Sequence, residues 1–131
     1  MRLFKILLIY LLLISSNTSY GIAVDQRIKT AIYKQDGIIP VYAAYGVSTM
    51  IIFSKREQFQ NISLGDSQSW EIIPAASKNI LFVKPIAREA RTNMNVVTDK
   101  HIYHFDLIDN EPEDELSYYS VRVVHQEEKE I

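Results

Sequence analysis

The 131-residue chain has no cysteine. That excludes a disulfide-stapled extracellular mini-domain and a cysteine nucleophile. It also leaves nothing on which a bacterial lipoprotein anchor could be built. No apolar run is long enough to cross a bilayer. The longest, Ile6 to Ile14, holds nine residues and spans ~14 Å as a helix, against ~30 Å of hydrocarbon. No stripe of lysine and arginine interleaved with aromatics is present, so direct nucleic-acid binding is not expected. The chain lacks a G-x-S-x-G turn, and its sixteen acidic residues single out no carboxylate pair. An enzymatic role is therefore not expected. Internal repeats are absent, and no window beyond the N-terminus carries the 3.6-residue apolar period of a surface helix.

What is present begins with an export signal. "MRLFKILLIYLLLISSNTSYG" (residues 1–21) has Arg2 and Lys5, then the short apolar core, then small and polar residues. That order is the plan of a cleavable secretory signal peptide. Cleavage is expected after Gly21 or Ala23, leaving a single domain over 22–131 in a bacterial periplasm. Without Arg2 and Lys5 the chain carries 12 basic and 16 acidic residues, near −4. The imbalance is local: from Asp109 to Ile131 there are eight acidic residues against two basic. An acidic loop at 109–115 and a charged tail at 126–131 account for it. The loop lacks the glycine and the alternating ligand spacing of a helix–loop–helix calcium motif, so it reads as solvated.

Between signal and tail the chain is a succession of short β-runs with turn chemistry between them. "RIKTAIY" ends at "KQDG"; "IIPVYAAYG" and "VSTMIIF" follow, closed by the charged turn "SKRE". "FQNISL" and "SWEIIP" flank "GDSQ", and "NILFVKP" stops at Pro85, which lacks an N–H. "MNVVT" and "HIYHFDL" are joined by Thr98–Asp99–Lys100, and "SYYSVRVVHQ" comes last. Eight to nine strands at this spacing predict an all-β fold, an antiparallel, immunoglobulin-like β-sandwich. Gly46 and Gly65 suit tight turns. Trp70 reads as a core anchor rather than a sugar-stacking platform.

Two of the three histidines, His101 and His104, stand three residues apart. On a strand such residues point to opposite faces. His101, Tyr103, Phe105 and Leu107 share one face; Ile102, His104, Asp106 and Ile108 share the other. His101 and His104 cannot both hold one ion, and no metal, cofactor or catalytic residue is expected. Replacing both with alanine should leave folding nearly unchanged. His104 and Asp106 are a possible same-face hydrogen-bonded pair.

Taken in order, "DQRIKTAIY", "YGVSTMIIF" with Glu57 in the next turn, "ISLGDSQSW", "KNILFVKP", "TNMNVVTDKHIYHFDL" and "YSVRVV" resemble the TrbG/CagX family of type IV secretion and conjugation channel proteins. The likeness covers the family's N-terminal domain. The resemblance implies a periplasmic structural subunit, or an accessory or regulatory paralog, of the outer-membrane-associated core complex. Its implied partners are protein subunits of that complex, including the full-length homologue and the pore-forming subunit, in a ring or mixed oligomer. Family members usually continue into a second β-rich domain; this sequence stops at Ile131 and reads as a short form lacking it. The alternative is an exported β-sandwich that binds a small ligand or glycan independently of any channel.

Overall fold

A computed structural model describes residues 1–6, 21–110 and 117–126. The expected signal segment over 1–21, the acidic loop over 109–115 and the tail at 126–131 lie largely outside those residues. Nine strands follow one another: β1 (Ile28–Ile32), β2 (Ile38–Ala44), β3 (Thr49–Ile52), β4 (Phe59–Leu64), β5 (Trp70–Pro74), β6 (Ile80–Pro85), β7 (Arg91–Thr98), β8 (Ile102–Asn110) and β9 (Ser120–Val124). Each β-run read from the sequence becomes one strand. They form a sandwich of a five-stranded sheet, β1-β9-β3-β6-β5, and a four-stranded sheet, β2-β8-β7-β4.

The expected antiparallel arrangement is corrected: both sheets are mixed. β1 and β3 flank β9 in parallel, and β2 runs parallel to β8. The reason lies in the connections. Only β5–β6 and β7–β8 are consecutive strands that stay paired in one sheet. Every other connection crosses to the opposite sheet, so strands of like direction come to lie side by side.

Alternation does the rest. Val41, Met94, Val96, Phe105 and Leu107 of the smaller sheet meet Ile51, Leu81, Val83, Val121 and Val123 of the larger, all buried. Each such side chain contributes ~1.5–3 kcal/mol relative to exposure. Trp70 is buried among them at 1% exposure, a core residue as read. Its indole Nε1 has no hydrogen-bond partner among the described residues.

The turns follow their residues. In "KQDG" the Gly37 N–H donates to the Lys34 carbonyl at 3.0 Å. In "GDSQ" Asp66 Oδ1 accepts from the N–H groups of Gln68 and Ser69 at 3.0 and 3.1 Å. Gly46 sits at φ 81°, where a Cβ is strained. Gly65 has a different reason. A Cβ there would stand 2.6 Å from both Asn93 Oδ1 and Thr92 Oγ1, and Thr92 Oγ1 is held by the Asp66 N–H at 2.9 Å. Gly65→Ala is expected to cost about 1–3 kcal/mol through overpacking, read as a shifted midpoint in urea unfolding.

The two outer faces differ. On the smaller sheet the outer face carries Arg91, Asn93, Asn95, His104 and Asp106 together with the exposed Ile38 and Ile102. On the larger, one row crosses all five strands as Ile28, Ser120, Met50, Phe82 and Ile73. A second row, half polar, runs through Thr30, Arg122, Ile52 and Ile80. These apolar side chains are exposed or half-buried.

Candidate functional site

Because β1, β9 and β3 run parallel, the residues that follow them arrive at one end of the sandwich. Tyr33 follows β1, His125 follows β9, and the turn after β3 brings Glu57. That turn is closed by the Glu57 N–H donating to the Ser54 carbonyl at 3.1 Å. The β7–β8 hairpin ends there too, with the Thr98 N–H on the His101 carbonyl at 2.9 Å. Thr98 Oγ1 fixes the hairpin by accepting from the N–H groups of Lys100 and His101 at 3.1 and 3.0 Å. The parallel pairing that alternation could not foretell is what gathers this cluster.

Glu57 is its centre, with a side chain only 2% exposed. Thr98 Oγ1 donates to Oε1 at 2.8 Å, and the Tyr103 hydroxyl lies 2.8 Å from both carboxylate oxygens. His101 Nδ1 stands 2.9 Å from Oε1. His125 Nε2 is 2.9 Å from the Tyr103 hydroxyl and 3.8 Å from Glu57 Oε2. The two imidazoles stack at 4.2 Å between centroids, and the Tyr33 ring packs against both, at 5.0 and 4.7 Å. Burial acts to raise the Glu57 pKa. The hydrogen bonds from His101, Thr98 and Tyr103, with the nearby His101 ring, outweigh it and hold the carboxyl below its usual range. A charged carboxylate is therefore stable in this interior.

The structure separates His101 from His104. His101 turns inward to Glu57; His104 is exposed and its Nδ1 pairs across the strand with Asn95 Oδ1 at 2.7 Å. The suggested His104–Asp106 pair is not made, because Asp106 instead takes Arg91 at 2.7 Å. His101, expected from the sequence to be dispensable for folding, bonds a buried carboxylate. Asp109, read as part of a solvated loop, accepts the Tyr45 N–H on one oxygen and the Glu89 N–H on the other, at 2.9 and 2.7 Å. It ties the β2–β3 and β6–β7 connections to the end of β8.

Sequence reading gave no site role to Glu57, noted only within the family resemblance, or to His125. Alternation with Val121 and Val123 places His125 on the inward face, a signal that was available. Nothing marked Glu57 as buried, since "SKRE" has the composition of a solvated turn.

The molecule is thus an all-β sandwich with mixed sheets, a polar cluster at one end and an apolar row on one outer face. The chain belongs to the CagX family of conjugal transfer proteins, whose family model matches residues 26–131. It is similar to the type IV secretion system protein PtlF of Bordetella pertussis, 29% identical over 64% of this chain and 35% of that protein. It is likewise similar to the type IV secretion system protein virB9 of Brucella abortus, 31% identical over 66% of this chain and 35% of that one. For virB9 of Bartonella henselae the figures are 26%, 63% and 30%. The chain thus spans about a third of the length of these relatives.

Proposed function

We propose that this protein is a structural or accessory subunit of the outer-membrane-associated core complex of a type IV secretion system. It works by protein–protein contact rather than by catalysis. Export by the N-terminal signal places it in the periplasm; among the described residues no helix is long and apolar enough to cross a membrane. The observation that carries the reading is the apolar row that crosses the outer face of the five-stranded sheet. A sandwich that met only water on both sides would have no need to present Ile28, Met50, Ile52, Ile73, Ile80 and Phe82 on one of them. The relatives' type IV secretion names supply the class of partner: another subunit of the channel, such as the full-length homologue or the pore-forming subunit.

The acidic stretch from Asp109 onward adds attraction to a basic partner surface, and that part weakens with salt. Co-purification from cells containing the channel, at low and high salt, tests the reading. Retention of channel subunits at low salt, reduced but not abolished at high salt, is the expected result. A free monomer at every salt concentration, with channel assembly unaffected by deletion of the gene, would contradict it.

A further inference from the structure

We propose that Glu57, His101 and His125 form a binding site for a first-row divalent cation, Zn²⁺ above all. The donors are one carboxylate oxygen, His101 Nδ1 and His125 Nε2, all within 4.8 Å of one another. They come from three separate connections, after β3, after β7 and after β9, which the parallel strands bring to one end. In a tetrahedral site with bonds of about 2.0–2.1 Å, ligand atoms lie roughly 3.3 Å apart. Glu57 Oε1 to His101 Nδ1 is 2.9 Å, His125 Nε2 stands 3.8 Å from the other carboxylate oxygen, and the three donor atoms all fall within 4.8 Å of one another. The two rings stack at 27° to each other, so seating an ion requires them to turn until both ring planes contain it.

The surroundings suit ligation. Glu57 is oriented by Thr98 Oγ1 and by the Tyr103 hydroxyl, which also lies 3.5 Å from His101 Nδ1 and 2.9 Å from His125 Nε2 and must move aside for an ion; both imidazoles pack against Tyr33. Such outer contacts fix ligand geometry in metal sites. Access exists: the His101 side chain is 34% exposed and borders an open groove of about 600 Å³. Two imidazoles and one carboxylate match Zn²⁺; Ca²⁺ and Mg²⁺ want oxygen donors in greater number.

A purely proton-bonded cluster is the competing state. In it the Tyr103 hydroxyl and His101 Nδ1–H donate to Glu57, and His125 Nε2–H donates to the Tyr103 oxygen. Metal binding needs both imidazoles as the opposite tautomer, with the proton moved to the far nitrogen of each ring. The two states are thus distinguishable by which ring nitrogen is protonated.

The test uses the whole purified protein, stripped by chelation and dialysed against Zn²⁺, with bound metal measured by mass spectrometry. One Zn²⁺ per chain is expected, with affinity lowered at least about tenfold by His125→Ala and by His101→Ala, and unchanged by His104→Ala. Where an alanine variant fails to fold, histidine NMR of the unsubstituted protein decides. Zn²⁺ should move the His101 and His125 ring signals to the other tautomer and leave His104 in place. Sub-stoichiometric binding, binding lost only in His104→Ala, or ring signals that ignore Zn²⁺ would each overturn the proposal.

Discussion

Glu57→Ala, measured in chelator, lowers the unfolding free energy by about 3 kcal/mol or more. Removing the carboxylate takes away the acceptor shared by the Thr98 and Tyr103 hydroxyls and the His101 ring, leaving Thr98 a longer bond of 3.3 Å to the His101 carbonyl and Tyr103 its contact with His125. Each buried donor left without a partner costs about 1–3 kcal/mol, and breaking a buried charged arrangement by deleting one member costs about 3–5. For a domain of this size that is a fall in melting temperature of more than roughly 12 °C. Tyr103→Phe provides the scale. It keeps the ring contacts with Phe53, Phe105 and Tyr33 and removes only the hydroxyl, so about 1 kcal/mol is expected. A Glu57→Ala variant no less stable than Tyr103→Phe would show that the cluster is peripheral to the fold.

The second large effect is on association rather than stability. Phe82→Glu puts a charge in the centre of the apolar row, beside Met50 on β3 and Ile73 on β5. In the free chain Phe82 is only half-buried, so folding should change by less than about 1 kcal/mol. In a partner interface the same side chain would be fully desolvated. Burying a phenylalanine contributes roughly 1.5–3 kcal/mol, and a charge in its place is worse than its absence. Affinity for the channel partner should fall at least about tenfold, at the rate of ten per 1.4 kcal/mol. Asn95→Glu on the outer face of the smaller sheet is the matched control and should leave association intact. Equal loss from both variants, measured by quantitative pull-down, would mean that the apolar face is not the contact.

The contrast between these two sites explains what the sequence could and could not reveal. Strand number and position were legible, because β-branched residues at period two mark strands wherever one face is buried. Strand direction was not. Alternation is the same read either way, so nothing in "RIKTAIY" announces that it lies parallel to "SVRVV". The inward face of His101 was legible from Tyr103 and Phe105, and that of His125 from Val121 and Val123. Their meeting was not, since it depends on how the two sheets stack. Glu57 was the hardest to see: a carboxylate in a charged turn is indistinguishable from a solvated one until three donors are found around it. The apolar outer face was hidden for a related reason. Ile52, Ile80 and Phe82 fall in strands that are apolar on both sides, where the pattern marks a strand without saying which face is covered.

The central claim is that this domain holds its place through the outer face of the five-stranded sheet. Site-specific photocrosslinking in cells containing the assembled channel tests it most directly, with the crosslinking residue placed at Phe82 in one strain and at Asn95 in another. Discrete adducts with a channel subunit from Phe82, and none from Asn95, are the predicted result. Uncrosslinked monomer from both positions, or adducts from Asn95 alone, would contradict it.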